Sequence, residues 1–337
     1  MKKFIYYAGM MIVVVILLPM FIVKGCGPPT GKKPPVEEIK EKECKISVYH
    51  TSLDQIVEMD LEEYIKGVLA AEMPADFDIE ALKAQAVAAR TYAYGRLAGA
   101  YQSKQGVHDG VDVCTNSAHC QAWMSKESAM KKWSIFFASR NWNKIEKAVD
   151  STKGMIVIYN SAVANTLFHA SSPGKTENSE EVWSGVSVPY LRSVESSGEE
   201  ASKGYITTIT VKASELLEKL RKSYPEAEFT KSILKNMKIL DYTTGDRVNT
   251  LQIGNITIRG TEFRTLLGLR SACFKLEWVD GKSDEVRITT KGFGHGVGMS
   301  QWGADSLAKK GGTYIEILKH YYTGVDVIPI GEYEKKR

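Results

Sequence analysis

Residues 60–96, DLEEYIKGVLAAEMPADFDIEALKAQAVAARTYAYGR, carry two helix signals separated by a proline, and the rest of the chain is read around them. Asp60 followed by Glu63 is a capping-box pattern, and Leu61, Ile65, Val68 and Leu69 recur at helical spacing to form one apolar face. Glu72 falls on that face, where another leucine would be expected. Pro74 disfavours helical geometry at Met73, so the helix is expected to end there, with Glu72 in its last turn near the negative end of the dipole. Partial burial and nearby helix carbonyls both raise a carboxyl pKa, which suits Glu72 to be a general acid. The alternative from this stretch alone is an edge-of-core glutamate paired with Arg90 or Arg96. A second helix is predicted from Asp78 as N-cap through Ile79, Leu82, Ala86, Val87, Ala89, Tyr92 and Ala93, and its many alanines permit close packing.

The chain has 337 residues, 43% hydrophobic and 25% charged, enough for a substantial core. Residues 4–23, FIYYAGMMIVVVILLPMFIV, are uncharged and as a helix would span about 30 Å, the thickness of a bilayer core. They read as an uncleaved transmembrane anchor, since no small-x-small cleavage site follows. Lys2 and Lys3 place residues 1–3 in the cytoplasm and the remainder outside the cell membrane. Residues 24–43, with Pro28, Pro29, Pro34 and Pro35, form a semi-extended linker. A formal charge of +4, evenly spread, with no basic patch interleaved with aromatics, excludes a nucleic-acid partner and is compatible with an acidic or neutral wall polymer.

Short strands are expected at 45–50 and near Ile56, two amphipathic helices at 127–139 and 141–153, and a strand at 155–159. Alternating runs at 205–211 and 250–258, with helical stretches at 213–224, 229–237 and 260–267, read as an inserted subdomain. The predicted fold class is therefore α+β. A mixed helical and β catalytic core covers 44–204 and 291–337, and a smaller α+β subdomain is inserted at 205–290.

Within 105–123, QGVHDGVDVCTNSAHCQAW, lie His108, Cys114, His119 and Cys120. Two thiols and two imidazoles are a ligand set for tetrahedral zinc, and a Cys114–Cys120 disulfide is the competing reading in an extracytoplasmic domain. His119 and Cys120 are adjacent and expected to diverge, so at most three of the four are expected to ligate together. Residues 170–196, ASSPGKTENSEEVWSGVSVPYLRSVES, form a long polar loop suited to a carbohydrate groove. Ser171, Ser172, Glu177 and Asn178 would bond sugar hydroxyls, and Trp183 and Tyr190 would stack on pyranose rings. Around His295, glycines at 292, 294, 296 and 298 are expected to let backbone approach a ligand, with His295 and Gln301 offered to it. Neither a dinucleotide fingerprint nor a Walker motif is present.

Five segments in order, YIKGVLAAEMP through EALKAQAVAARTYA, CTNSAHCQAW, ASSPGKTENSEEVWSG through PYLRSVES, RGTEFRTLLGLRS and GFGHGVGMSQWGA, resemble the stage II sporulation protein D (SpoIID) family over about residues 45–327. The resemblance implies a peptidoglycan lytic transglycosylase in the mother-cell membrane of a sporulating bacterium. It would cut MurNAc–GlcNAc bonds of glycan strands already stripped of stem peptides, during forespore engulfment. It also implies the amidase SpoIIP and the membrane protein SpoIIM as partners, Glu72 as the catalytic acid, and, as in some members, zinc on His108, Cys114, His119 and Cys120. Such a zinc is expected to be structural, because the chemistry needs no metal hydroxide. Gln121, Glu177 and Asn178 are candidates to stabilise an oxocarbenium-like transition state. Asp112, Glu177 and Glu180 are the candidates for the second carboxylate that hydrolysis would demand.

Overall fold

The computed structural model describes residues 44–100, 110–230, 236–278 and 284–336. The anchor and linker readings, for residues 1–43, and the candidate ligand His108 lie outside the described residues. Among the described residues no helix is long and apolar enough to cross a membrane.

The chain opens on a hairpin, β1 (Lys45–His50) with β2 (Gln55–Asp60), and β3 (Val113–Cys114) joins β1 in parallel. Helix α1 (Leu61–Glu72) starts where Asp60 accepts the amides of Glu62 and Glu63 and stops at Met73, whose extended backbone precedes Pro74. Glu63 turns instead to Lys66, so the start is a simple N-cap. Helix α2 (Ile79–Leu97) is the hub of the core. Ala81, Leu82, Ala84, Ala86, Val87, Ala88, Ala89 and Ala93 are all fully buried, which a helix achieves only when enclosed on every side. Its small side chains admit α1, the helix Ile135–Asp150 and the strand Met155–Tyr159 close by, together with two helices from the far end of the chain.

Helices α3 (Lys126–Lys132) and α4 (Ile135–Asp150) break at Trp133, not near Arg140 as predicted. Trp133 takes an extended conformation and packs on the small cluster of Ala70, Ala129 and Trp142, which outweighs the continuous helical periodicity. Next come β4 (Met155–Tyr159), β5 (Ala162–Val163), β6 (Phe168–His169) and the single turn α5 (Ser179–Val182).

The segment that follows has its own hydrophobic cluster. It comprises β7 (Ile206–Lys212), α6 (Ala213–Ser223), β8 (Lys238–Tyr242), β9 (Val248–Ile253), β10 (Ile256–Arg259), α7 (Gly260–Leu267), β11 (Phe274–Trp278) and β12 (Glu285–Lys291). Its strands form two sheets, ordered β11-β12-β7 and β10-β9-β8, around Leu216, Leu220, Leu251, Phe263, Val286 and Ile288. The single run expected over 250–258 is a hairpin turning at Gly254, whose φ of 63° supplies the left-handed turn residue. The helix expected at 229–237 falls largely on residues outside those described.

The chain then returns to the first core through β13 (Met299–Ser300), α8 (Gln301–Lys309), α9 (Tyr314–Tyr321), β14 (Asp326–Pro329) and α10 (Ile330–Lys336). β13 pairs in parallel with β6, and β14 adds to β4 opposite β5. Residues 46–191 and 297–325 thus contribute to one core from both ends of the chain, with Met299, Ile317, Leu318, Tyr321 and Tyr322 packed among the residues of α1 and α2.

Candidate active site

Glu72 ends α1 half-buried. Its Oε1 accepts the backbone N–H of Ala122 at 2.7 Å, and the Gln301 side chain donates a second hydrogen bond. Burial raises its pKa above the usual carboxylate range, and the two hydrogen bonds, which favour the charged form, oppose that rise. The residue is not paired with Arg90 or Arg96. Fully buried Arg90 instead bonds Glu62 through Nη2 at 2.6 Å and Nε at 2.9 Å, and Arg96 donates to the Asp112 carbonyl. The cation that would have held Glu72 ionised is committed one helix face away.

Three buried glutamines lie close by. Gln301 donates to Gln85 at 3.5 Å, and Gln121 accepts from the Tyr64 hydroxyl at 3.4 Å. The Nε2 groups of Gln85 and Gln121 have no hydrogen-bond partner. Gln301 comes from the start of α8, where Ser300 caps the helix by accepting the Gly303 amide. Gln121 and Ala122 follow the cysteine loop directly.

In that loop Asn116 accepts the amides of His119 and Cys120 on its carbonyl and that of Ala118 on its side chain. This tight turn makes the neighbours His119 and Cys120 converge, contrary to the expectation that they diverge. Nδ1 of His119 lies 3.8 Å from Cys114 Sγ and 3.5 Å from Cys120 Sγ, and all three ligand atoms fall within 4.8 Å of one another. Zinc bonds of about 2.3 Å to sulfur and 2.0 Å to nitrogen at tetrahedral angles give S···N edges of roughly 3.5 Å, so the three donors fit that ion. The two thiols form no disulfide, and a hydrogen bond joins Cys114 to Cys120.

The long polar loop is held by its own protein more than it is offered to solvent. Ser171 exchanges backbone hydrogen bonds with Phe293, and Ser172 Oγ lies 2.6 Å from His169 Nε2, both serines being buried. Glu177 is fully buried, with Oε1 2.9 Å from Arg247 and 2.8 Å from the Thr243 hydroxyl. Asn178 accepts the Ser193 amide and donates to Glu181. The Tyr190 hydroxyl accepts the Asn165 amide, and its ring packs on Tyr159. Trp183 is exposed and tilts over the half-buried His295 with centroids 5.2 Å apart. Burial, then Arg264 and Arg247, lower the His295 pKa to about 4, so the ring is neutral near pH 7 and its Nδ1 accepts the Val297 amide.

The four glycines all take positive φ, between 72° and 114°. They bring the turn against the chain itself, since a Cβ on Gly296 would lie 2.3 Å from Arg247 Nη2 and one on Gly298 2.1 Å from the Leu167 carbonyl. These contacts give Gly296 and Gly298 an internal packing role. A small cavity beside this turn is lined by Glu177, Arg247, Arg264 and His295, and Glu72 does not line it.

The structure thus gathers Gln121 and Gln301 at Glu72, places Trp183 against His295, and sets Ser171, Ser172, Glu177, Asn178 and Tyr190 in the scaffold of the loop. Sequence reasoning missed the Ala122 amide, which has no side-chain signature, and Arg247, an isolated arginine in a turn. Gln85 was visible as a polar residue in an alanine-rich helix.

A family model described as "SpoIID: Stage II sporulation protein" matches residues 49–159, the span of the helix pair and the cysteine loop. The chain is 38% identical to Stage II sporulation protein D of Bacillus amyloliquefaciens over 289 residues, covering 86% of this chain and 80% of that protein. It is likewise 38% identical to Stage II sporulation protein D of Bacillus subtilis (strain 168) over 293 residues, 86% and 81% of the two chains. A further relative from Bacillus subtilis (strain 168), "Amidase enhancer", is 31% identical over 309 residues, 77% of this chain and 39% of that protein. The chain belongs to the stage II sporulation protein D family.

Proposed function

We propose that the protein is a membrane-anchored lytic transglycosylase that cleaves MurNAc–GlcNAc bonds in peptide-free peptidoglycan strands during forespore engulfment. The observation that carries this reading is the half-buried Glu72 carboxyl with a raised pKa and no cationic partner among the described residues. Protonated Glu72 gives its proton to the glycosidic oxygen as the C1–O bond breaks, and the GlcNAc 4-hydroxyl leaves. The MurNAc C6 hydroxyl then attacks C1 and passes its proton to the Glu72 carboxylate, which closes the 1,6-anhydro ring and restores the acid. One carboxyl serves both steps because no water is activated. The other acidic candidates support this reading by their commitments: Asp112 accepts the Ser47 amide, Glu177 pairs with Arg247, and Glu180 is held bidentately by Arg192. The unpartnered Gln85 and Gln121 amides are suited to receive substrate oxygens beside Glu72.

Zinc on Cys114, His119 and Cys120 would supply a structural crosslink. Those residues fix the loop that presents the Ala122 amide to Glu72. The proposal includes SpoIIP and SpoIIM as partners, on the family resemblance.

Replacement of Glu72 by Gln tests the reading on denuded strands. Release of 1,6-anhydro-MurNAc ends should fall about 10²–10⁴-fold, the usual contribution of a positioned general acid. Unchanged cleavage would remove Glu72 from the chemistry, and free stem peptides with intact glycan would point to a wall amidase. A second reading, a glycan-binding module that activates an amidase, is favoured by the relative named "Amidase enhancer". In that case Glu72→Gln would leave stimulation of the amidase intact and the wild type would cut no glycan alone.

A further inference from the structure

Ile135, Phe136 and Phe137, at the start of α4, are 85%, 86% and 50% exposed. The first two are more exposed than any other large hydrophobic residue described. Isolated apolar residues on a surface are ordinary, but three in succession at a protruding helix start are not. They do not belong to the core stripe of α4, which is Ala138, Trp142, Ile145, Ala148 and Val149. Ile135 continues that stripe past the end of the core, while Phe136 and Phe137 lie off it. The break at Trp133, pinned against Ala129 and Trp142, turns the chain so that these side chains form the apex of the α3–α4 corner.

The charges flanking the apex in the chain are of one sign. Between Lys131 and Arg140 the sequence KKWSIFFASR holds two lysines and one arginine and no acid. Lys131, Lys132 and Arg140 are exposed, and the Arg140 guanidinium lies over the Phe137 ring at 4.9 Å. An apolar tip ringed by cations matches the layering of a bilayer interface, acyl chains beneath anionic headgroups.

We infer that the Ile135–Phe137 apex inserts into the surface of an anionic lipid bilayer. The chain outside the described residues supports this occupant. On the reading of residues 4–23 as an anchor, the 20-residue linker at 24–43 reaches at most roughly 70 Å when extended and about 25 Å as a coil. The domain is therefore never far from a membrane, and a weak surface affinity acts at high effective concentration. Docking would also orient the site. Lys144, on the same helix, donates to the Asp76 and Phe77 carbonyls in the segment that follows Glu72. It lies about 13 Å along α4 from Ile135, so a helix seated by its tip holds Glu72 at a fixed height above the lipid.

The test uses residues 43–337, which form one compact unit with all the described core, in flotation with vesicles of phosphatidylcholine alone or mixed with phosphatidylglycerol. The wild type should float with the mixed vesicles, less so at high salt, and less with phosphatidylcholine alone. A variant combining Ile135→Ser, Phe136→Ser and Phe137→Ser should lose at least about tenfold in partitioning, because burial of one such side chain is already worth that factor. Its melting temperature and glycan cleavage should match the wild type, since the replaced side chains support neither core nor site. Failure of the wild type to float, or equal flotation of the variant, overturns the inference. So does a wild type that self-associates through the apex without binding vesicles, which would assign the patch to a second copy of the chain.

Discussion

Replacing Gln301 by Met should raise the pKa of Glu72, and the size of the change follows from its surroundings. Burial pushes this carboxyl up, while the Ala122 amide and the Gln301 side chain pull it down by bonding the ionised form. Met fills a similar volume and cannot donate. The Gln301 bond is one to a charged group, worth about 1.5–3 kcal/mol, and each pKa unit corresponds to about 1.36 kcal/mol. Since Glu72 is half-buried, water replaces part of the lost bond, so the rise is smaller than the full bond energy would give.

The sign has two consequences. As the proposed general acid Glu72 must be protonated, so the alkaline limb of the cleavage rate should move to higher pH, while the rate at the optimum changes little. Its folded pKa already lies above its unfolded value, so the stability it contributes is present at low pH and is lost as pH rises through the folded pKa. The variant should retain that contribution to higher pH. The assay is release of 1,6-anhydro ends from denuded strands across pH, alongside a carbon-13 titration of the Glu72 carboxyl, assigned by its disappearance in Glu72→Gln. A limb and a carboxyl pKa that stay fixed, or move down, would refute both the Gln301 contact and the assignment of the limb to Glu72.

Arg90→Met should destabilise the fold by about 3–5 kcal/mol, because it strands the Glu62 carboxylate between α1, α2 and the Gly154 amide; urea denaturation monitored by tryptophan fluorescence reads this directly. On the zinc proposal, chelation of a zinc-loaded sample should lower both the melting temperature and the rate of glycan cleavage, metal analysis of the wild type should find stoichiometric zinc, and Cys114→Ser should abolish it. Activity that survives complete metal removal with an unchanged melting temperature would separate the cysteine loop from the site.

The sequence made α1 and α2 readable because their signals are local. Asp60 and Asp78 cap, Pro74 terminates, and the apolar spacing marks a buried face. The helix break at Trp133 was hidden because Ser134 and the residues around it satisfy a continuous helical pattern, and only packing on Ala129 and Trp142 selects the break. The glycine run was legible as a demand for positive φ but not as to what approached it, since the close neighbours Arg247 and Leu167 lie 49 and 131 residues away in the chain. Serines and acids of the polar loop look alike in sequence whether they face a sugar or an arginine. Burial of Ser171, Ser172 and Glu177 is a tertiary fact that no local spacing encodes.

The same distinction explains why the reading of Glu72 was open in the sequence. Its two candidate cations were visible on the next helix, 18 and 24 residues on, while the donors that hold it, the Ala122 amide and Gln301, come from segments 50 and 229 residues downstream. A carboxyl with a local cation would be ionised in any partly folded state. One raised by burial among distant, neutral donors acquires that shift only when α1, the cysteine loop and α8 close together on α2. That arrangement makes the acid conditional on the complete fold, and it places the loop bearing Cys114, His119 and Cys120 as the element through which a bound metal would act on Glu72 without touching the reaction.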